Sequence, residues 1–185
     1  MRLFFALWPD AATRAELAAA SRLVGLRDGR AVPAANLHIT LHFLGEVAAT
    51  ALPPLCEAGA RVAAPTFALD LAVAGWWPRG RVAWLAPAVV PAALLDLVAG
   101  VDAAVAACGL APVAREQAAY QAHVTVARQV RHAPALMRAF SVPWQITDFA
   151  LISSLTEPAG ARYEVLARWP LTAPSGDESG PATVR

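Results

Sequence analysis

Hydrophobic positions along the chain follow two different periods. Residues 2–8 are a short aromatic and apolar run, which predicts a strand. Residues 11–24 place alanine and leucine at helical spacing behind Pro9 and Asp10, both common at helix starts. From 36 to 44 apolar and polar residues alternate strictly, as on a half-buried strand. A helix is predicted over 48–63, with Pro53 and Pro54 in its first turn. Residues 67–73 and 81–86 read as strands around a turn at 75–80. A second long helix covers 89–108 and stops at Gly109. Residues 120–128 alternate as a strand, and 134–140 read as a short helix. Strands at 146–155 and 163–170 close the pattern around a turn at 158–160. From Thr172 onward the chain lacks apolar residues to bury, so a disordered tail is expected over 172–185.

This order, strand–helix–strand–helix–strand–strand, occurs twice. Three tripeptide matches recur in the same order, each pair separated by nearly the same stretch of chain. Arg2-Leu3-Phe4 matches Arg81-Val82-Ala83, His38-Ile39-Thr40 matches His123-Val124-Thr125, and Phe67-Ala68-Leu69 matches Phe149-Ala150-Leu151. The pattern predicts an internal duplication within a single bilobal domain over 1–171. Its halves run roughly 1–86 and 81–171, sharing the strand at 81–86. The expected fold class is α+β with pseudo-two-fold symmetry: two antiparallel-rich sheets flank a central cleft, and helices pack outside.

Length and composition narrow the chemistry. A chain of 185 residues that is 57% hydrophobic can bury a large core. The net charge of +1 carries no nucleic-acid footprint of its own. All 15 basic residues are arginine. Without lysine there is no Walker-A lysine, no Schiff base and no lysyl-nucleotidate. Arginine still binds phosphate through its planar fork of donors. Cys56 and Cys108 form neither a metal pattern nor a disulfide framework. The first residues do not build a signal peptide, and no apolar run reaches membrane-spanning length. A cytoplasmic location without membrane contact is therefore the expectation, and a monomer is expected separately.

The candidate chemistry sits in the repeats. On a strand alternate residues share a face, so Leu37, Ile39, Leu41 and Phe43 are expected in the core, with His38, Thr40 and His42 opposite. In the second copy Ala122, Val124 and Val126 face the core, with His123 and Thr125 opposite. Each half therefore offers one imidazole and one hydroxyl, roughly 7 Å apart along the strand. A two-fold would face these pairs across a cleft. In-line displacement at phosphorus needs a base at the entering oxygen and an acid at the leaving oxygen, on opposite sides of the phosphorus. Two imidazoles can supply both near neutral pH, and threonine hydroxyls can donate to the non-bridging oxygens.

Paired His-x-Thr motifs, the first running on into Phe43-Leu44-Gly45, resemble the two-histidine (2H) phosphoesterase superfamily. Within it the chain is similar to the RNA 2′,3′-cyclic phosphodiesterases, also called 2′-5′ RNA ligases. The resemblance spans about Arg2 to Leu171 and includes the opening residues 2–6, the segments 36–47 and 123–128, and the closing residues 163–171. It implies His38 and His123 as catalytic acid and base, and Thr40, Thr125 and Arg128 on the phosphate. It implies neither cofactor nor metal. The implied partners are RNA 3′ ends or small cyclic nucleotides such as ADP-ribose 1″,2″-cyclic phosphate. The implied reaction opens a terminal 2′,3′-cyclic phosphate to a 2′-phosphate, with ATP-independent 2′-5′ joining as the same chemistry run with an alcohol. Taking His38 as the acid at the 3′-oxygen and His123 as the base on water is one assignment; the reverse stays open. An RNA-end binding module without turnover is the alternative of a different class. Two departures stand out. Ala122 occupies a position where the family usually has proline, and strict alternation puts Arg128 on the face opposite His123.

Further residues have weaker claims. His42 and His38 lie about 13 Å apart on a strand, too far to share a metal ion. His42 reads as surface or cleft rim. Arg128, Arg131, His132 and Arg138 could form a basic rim. Trp76 or Trp77 could stack a base in the predicted turn, and Tyr120 could line the cleft.

Overall fold

A computed structural model describes residues 1–110, 120–136, 138–157 and 160–173. Its elements in chain order are β1 (Arg2–Leu7), α1 (Ala11–Leu23), β2 (Val24–Gly25), β3 (Arg30–Ala31), β4 (Ile39–Glu46), α2 (Leu52–Ala60), β5 (Phe67–Trp77), β6 (Val82–Pro87), α3 (Ala92–Ala107), β7 (Val124–Arg128), β8 (Ala135–Leu136), β9 (Val142–Ile146), β10 (Asp148–Glu157) and β11 (Gly160–Pro170). Helix α1 starts where expected because the Asp10 carboxylate accepts a hydrogen bond from the Thr13 amide at 2.7 Å. Helix α2 takes Pro53 and Pro54 in its first turn after a 3₁₀ turn at Ala49–Ala51.

Nine of the eleven described strands form one sheet in the order β11-β10-β1-β4-β7-β6-β5-β9, with β3 beside β7, while β2 and β8 pair with each other apart from it. All strand pairings in it are antiparallel. The two expected sheets are its wings, β11-β10-β1-β4 and β7-β6-β5-β9. They meet at one residue pair, Ile39 against Val124. These two residues are repeat equivalents, each the middle residue of its His-x-Thr motif. A two-fold axis through the sheet must pair a residue with its own equivalent, so the axis passes through this seam. Beyond it β4 and β7 part, and β3 takes up the free side of β7.

Strand register corrects the other two tripeptide matches. Phe5 and Ala6 of β1 pair with His42 and Thr40, while Ala83 and Trp84 of β6 pair with Ala127 and Thr125. Ala6 therefore corresponds to Trp84, whereas the tripeptide match would set it against Leu85. Likewise Leu151 pairs with Phe5 and Trp76 pairs with Ala83, so Leu151 corresponds to Trp76 and not to Leu69. The Phe67/Phe149 match is thus a coincidence of sequence. The register also shows that β5 lies in the wing of β6 and β7, and β10 in the wing of β1 and β4.

Leu3, Phe5, Leu7, Leu37, Ile39, Leu41, Leu85, Val124 and Val126 join α1 and α3 residues such as Leu17, Leu94 and Val101 in the main core. The opposite face of β1 carries a small second cluster, Phe4 and Ala6 with Ala150 and Ile152, against which Trp8 and Tyr163 pack. This second face borders the cleft.

Several local expectations are corrected. The described residues within 134–140 form no helix; Ala135–Leu136 is a two-residue strand paired with Val24–Gly25. The segment is too short to form a helix without a buried stripe, and strand pairing at the end of α1 satisfies its backbone instead. The turn expected over 75–80 is shorter, because Gly75, Trp76 and Trp77 belong to β5. The last strand region divides into β9, β10 and β11. Thr172 is not free: its amide donates to the Ala64 carbonyl at 3.0 Å, and its own carbonyl accepts from the Thr66 amide at 2.8 Å. The rest of the expected disordered tail, from 174, and the turn residues 158–159 lie outside the described residues.

Candidate active site

His38 immediately precedes Ile39, and His123 immediately precedes Val124, so both imidazoles flank the seam. Each is held the same way. The Nδ1 of His38 donates to the Asn36 carbonyl at 2.7 Å, and the Nδ1 of His123 donates to the Gln121 carbonyl at 2.8 Å. Asn36 and Gln121 are repeat equivalents, each two residues before its histidine. A donor at Nδ1 fixes the neutral ring in one tautomer and leaves Nε2 as the atom able to take or give a proton. On His38 that atom accepts from the Thr40 hydroxyl at 3.1 Å.

Aromatic rings fix both imidazoles further. His38 stacks on Trp8 at 5.6 Å between centroids, tilts against Phe4 at 4.9 Å and meets the edge of Tyr163 at 5.3 Å. His123 meets Trp77 edge-on at 4.6 Å, and Trp77 in turn packs on Trp84 at 5.2 Å. Trp84 lies directly over Gly75, where any Cβ would collide with its indole ring. Gly75 is thus a close-approach position that lets the tryptophan pair back up His123.

Of the remaining site candidates, Arg128 reaches the cleft by means of a β-bulge. Between Phe5 and Ala6 of β1 the pairing skips Leu41, and between Ala83 and Trp84 of β6 it skips Val126. Leu41 and Val126 each follow the threonine of their motif, so each half carries the same extra residue. A bulge of one residue exchanges the faces of everything after it. Ala127 is therefore buried and Arg128 exposed toward the cleft, although strict alternation assigns Arg128 the other face. Its guanidinium charge acts on both imidazoles.

The same bulge in the first half corrects the expectation for His42. It is 4% exposed and lies on the core face, where its Nδ1 donates to Asp102 of α3 at 2.6 Å. Its Nε2 has no hydrogen-bond partner among the described residues. Phe43, expected in the core, is 37% exposed, and the Arg2 guanidinium lies over its ring at 5.0 Å.

Two cavities open beside His38 and Arg128. The larger, about 310 Å³, adds Thr125, Asn36, Val32 and Pro33; the smaller, about 250 Å³, adds Thr40, Arg2, Phe43 and Ser154. Tyr163 and Ala161 border both. Burial dominates the electrostatics. Desolvation, opposed by the Asn36 carbonyl and reinforced by the charges of Arg128, His123 and Arg14, holds the His38 imidazole down at about 4. Desolvation and Arg128 lower His123 as well, against its bond to the Gln121 carbonyl. Both rings are neutral at pH 7 in this cleft, and an anion placed between them would raise both.

The weaker sequence candidates divide. Tyr120 donates its hydroxyl to the Thr40 carbonyl at 3.0 Å, tying the approach to the second motif onto the first. Trp77 backs His123, while Trp76 donates its indole N–H to the Val130 carbonyl at 3.1 Å. The residues of the expected basic rim divide, with Arg128 at the cleft. Asp28 accepts from the Arg131 amide and the His132 ring, both at 3.0 Å, and Arg138 lines a separate depression beside Glu16 of α1. Sequence reasoning missed the carbonyls of Asn36 and Gln121, the aromatic box of Phe4, Trp8 and Tyr163, and Arg2. Of these, only the carbonyl pair had a signal, its constant spacing from the histidines.

Comparison with known proteins bears on the whole arrangement. The family described as LigT like phosphoesterase matches residues 7–84. A protein of Escherichia coli named RNA 2′,3′-cyclic phosphodiesterase is 35% identical over 145 residues, covering 78% of this chain and 81% of its own. A Thermus thermophilus protein of the same name is 31% identical over 193 residues, covering 96% and 94%. Among solved structures, E. coli LigT complexed with NADP+ superposes with a TM-score of 0.78 at 33% identity, over 92% of this chain and 97% of that one. E. coli LigT complexed with 3′-AMP gives 0.77 at 32% identity over the same shares. With a twofold-related pair of pinned imidazoles at the seam and relatives matched over most of its length, this chain belongs to the LigT-like phosphoesterase family.

Proposed function

We propose that the protein opens the 2′,3′-cyclic phosphate at an RNA end to a 2′-phosphate, by general acid–base catalysis between His38 and His123. The observation that carries this reading is the matched pinning of the two rings. Each Nδ1 is occupied by a carbonyl two residues earlier, so each Nε2 is available for proton transfer at the cleft. A binding module has no use for two tautomerically fixed imidazoles. The relatives named RNA 2′,3′-cyclic phosphodiesterase support this substrate class.

In this reading the cyclic phosphate sits at the seam with Arg128 on its non-bridging oxygens and Thr40 and Thr125 donating hydroxyls from the two sides. One imidazole takes a proton from the attacking water, and the other gives one to the departing 3′-oxygen. The developing negative charge at phosphorus offsets the Arg128 field that otherwise lowers both rings, so the substrate itself brings one imidazole into its protonated form. With a 5′-hydroxyl in place of water the same steps join RNA 2′-5′ without ATP.

The test is hydrolysis of a short RNA ending in 2′,3′-cyclic phosphate, in the presence of EDTA. The wild type is expected to give a 2′-phosphate, with His38→Ala and His123→Ala each losing about 10²–10⁴-fold in rate. A substrate with a very good leaving group restores the acid variant alone and so assigns the roles. Mutants that match the wild type would sink the mechanism. Turnover of a small cyclic phosphate but not of RNA would move the substrate to a free nucleotide.

A further inference from the structure

The two halves are not equivalent where they meet the substrate. Counted from the two histidines, Arg128 of the second half corresponds to Phe43 of the first. Both reach the cleft face through the matched bulges, Arg128 as a guanidinium that lines both cavities and Phe43 as an aromatic ring that lines only the smaller. The Phe43 ring is not left bare: Arg2 extends over it at 5.0 Å. Arg2 is exposed, and it pairs across the strands with Ser154, which lines the same 250 Å³ cavity. The cavity across His38 and Arg128 is larger and is lined by Val32, Pro33 and Tyr163 together with Arg30, Asn36 and Gln129.

This asymmetry matches the asymmetry of a nucleotide. A ribose with a 2′,3′-cyclic phosphate carries its base on C1′, beside the 2′-oxygen. Its 5′ substituent is on C4′, beside the 3′-oxygen. The two groups leave the cyclised edge toward opposite flanks. With the phosphate between the histidines, one cavity receives the base and the other receives whatever is attached at O5′. The larger, mostly apolar cavity suits a flat base. The smaller one offers a guanidinium, a hydroxyl and an exposed ring, which suit a phosphodiester and the nucleoside behind it.

We propose that Arg2, Phe43 and Ser154 form a subsite for the phosphodiester on the 5′ side of the terminal nucleoside, so that the enzyme selects an oligonucleotide end over a free cyclic mononucleotide. The inference rests on the RNA-end reading above. The Arg2 guanidinium donates to the diester oxygens, Ser154 supplies a second donor, and Phe43 carries the preceding nucleoside. The acid–base pair meets the same cyclic phosphate in both kinds of substrate, so the preference comes from this flank alone.

The experiment uses the full chain and three product analogues: a 2′-phosphorylated mononucleotide, the corresponding dinucleotide, and the dinucleotide with an uncharged methylphosphonate in place of its internal diester. Equilibrium binding is measured for each, and turnover for the matching cyclic phosphates. The expected result is about tenfold tighter binding of the charged dinucleotide than of the other two, a gain typical of one charge-assisted contact. Arg2→Gln should bring the ratio of dinucleotide to mononucleotide affinity close to one. Equal binding of the charged and uncharged dinucleotides overturns the subsite, as does an Arg2→Gln protein that keeps the wild-type ratio. If the binding difference is present but none of the cyclic forms turns over, the subsite stands and the catalytic reading fails.

Discussion

At the scale of single residues, the decisive feature is where a proton can reside. In the proposed mechanism one imidazole is protonated and the other neutral, so kcat/KM for the free enzyme peaks between their two values. Burial and Arg128 hold His38 at about 4 and His123 below 6.5. The kcat/KM optimum is therefore expected on the acid side of pH 6.5. The kcat optimum should lie higher, because bound phosphate raises both rings. A kcat/KM optimum on the alkaline side of neutrality would contradict this account of the cleft. The same shift acts on stability. Between about pH 6.5 and 4 the unfolded chain binds a proton at His38 that the folded chain refuses, so stability falls as the pH drops through that window. The loss amounts to roughly 3 kcal/mol for a shift from 6.5 to about 4. His38→Phe, which keeps an aromatic ring between Phe4, Trp8 and Tyr163, should flatten that slope in denaturant titrations at several pH values. An unchanged slope would place the titration elsewhere. The histidines and threonines were legible in the sequence because a repeated His-x-Thr on an alternating strand needs only the period of two. Arg128 and His42 were misplaced for one shared reason: period two holds only until a bulge, and a bulge leaves no mark in composition.

Elements position the site through packing that the sequence signals only in part. Strand β5 runs on to Trp77, past the point where glycine and two tryptophans suggested a turn. Its extension is what carries Trp77 to His123. The support depends on Gly75, since the Trp84 ring occupies the space of a Cβ there. Gly75→Val would suit a strand by propensity yet force Trp84 aside, and Trp77 with it. The expected outcome is a loss of about 1–3 kcal/mol in stability together with a fall in kcat, with the His123 imidazole resonances broadened or shifted in NMR. Normal His123 resonances and normal kcat in the variant would show that the tryptophan pair is not what holds the ring. Helices α1, α2 and α3 were predicted well because helical spacing, Asp10 and the prolines are local signals. The two-residue strands β2, β3 and β8 were not, because each exists only through a partner distant in sequence. The division of the last strands into β9, β10 and β11 follows likewise from neighbours in the sheet.

The whole molecule raises the question of whether its two wings are separate units. They touch along the sheet at a single pair, Ile39 and Val124, which on its own would let them unfold independently. The chain path argues otherwise. Strand β5 follows the first His-x-Thr strand yet pairs with β6 and β9, and β10 follows the second yet pairs with β1 and β11. Each half of the sequence thus gives its third strand to the opposite wing. Neither half of the sequence can lose its order without removing an interior strand from the wing that holds the other half's His-x-Thr strand, and an interior strand carries buried apolar contacts on the sheet faces as well as two ladders of hydrogen bonds. The proposed catalytic set is divided in the same way, with His38 and Thr40 on one wing and His123, Thr125 and Arg128 on the other. Unfolding should consequently be one cooperative transition, with loss of activity, tryptophan fluorescence and far-UV circular dichroism sharing a midpoint. A nucleotide that bridges the seam should move all three midpoints together, by the amount mass action gives for a ligand of the folded state alone. Two resolved transitions, or activity lost well before the fluorescence of either wing changes, would mean that the exchanged strands do not couple the wings and that the seam opens first.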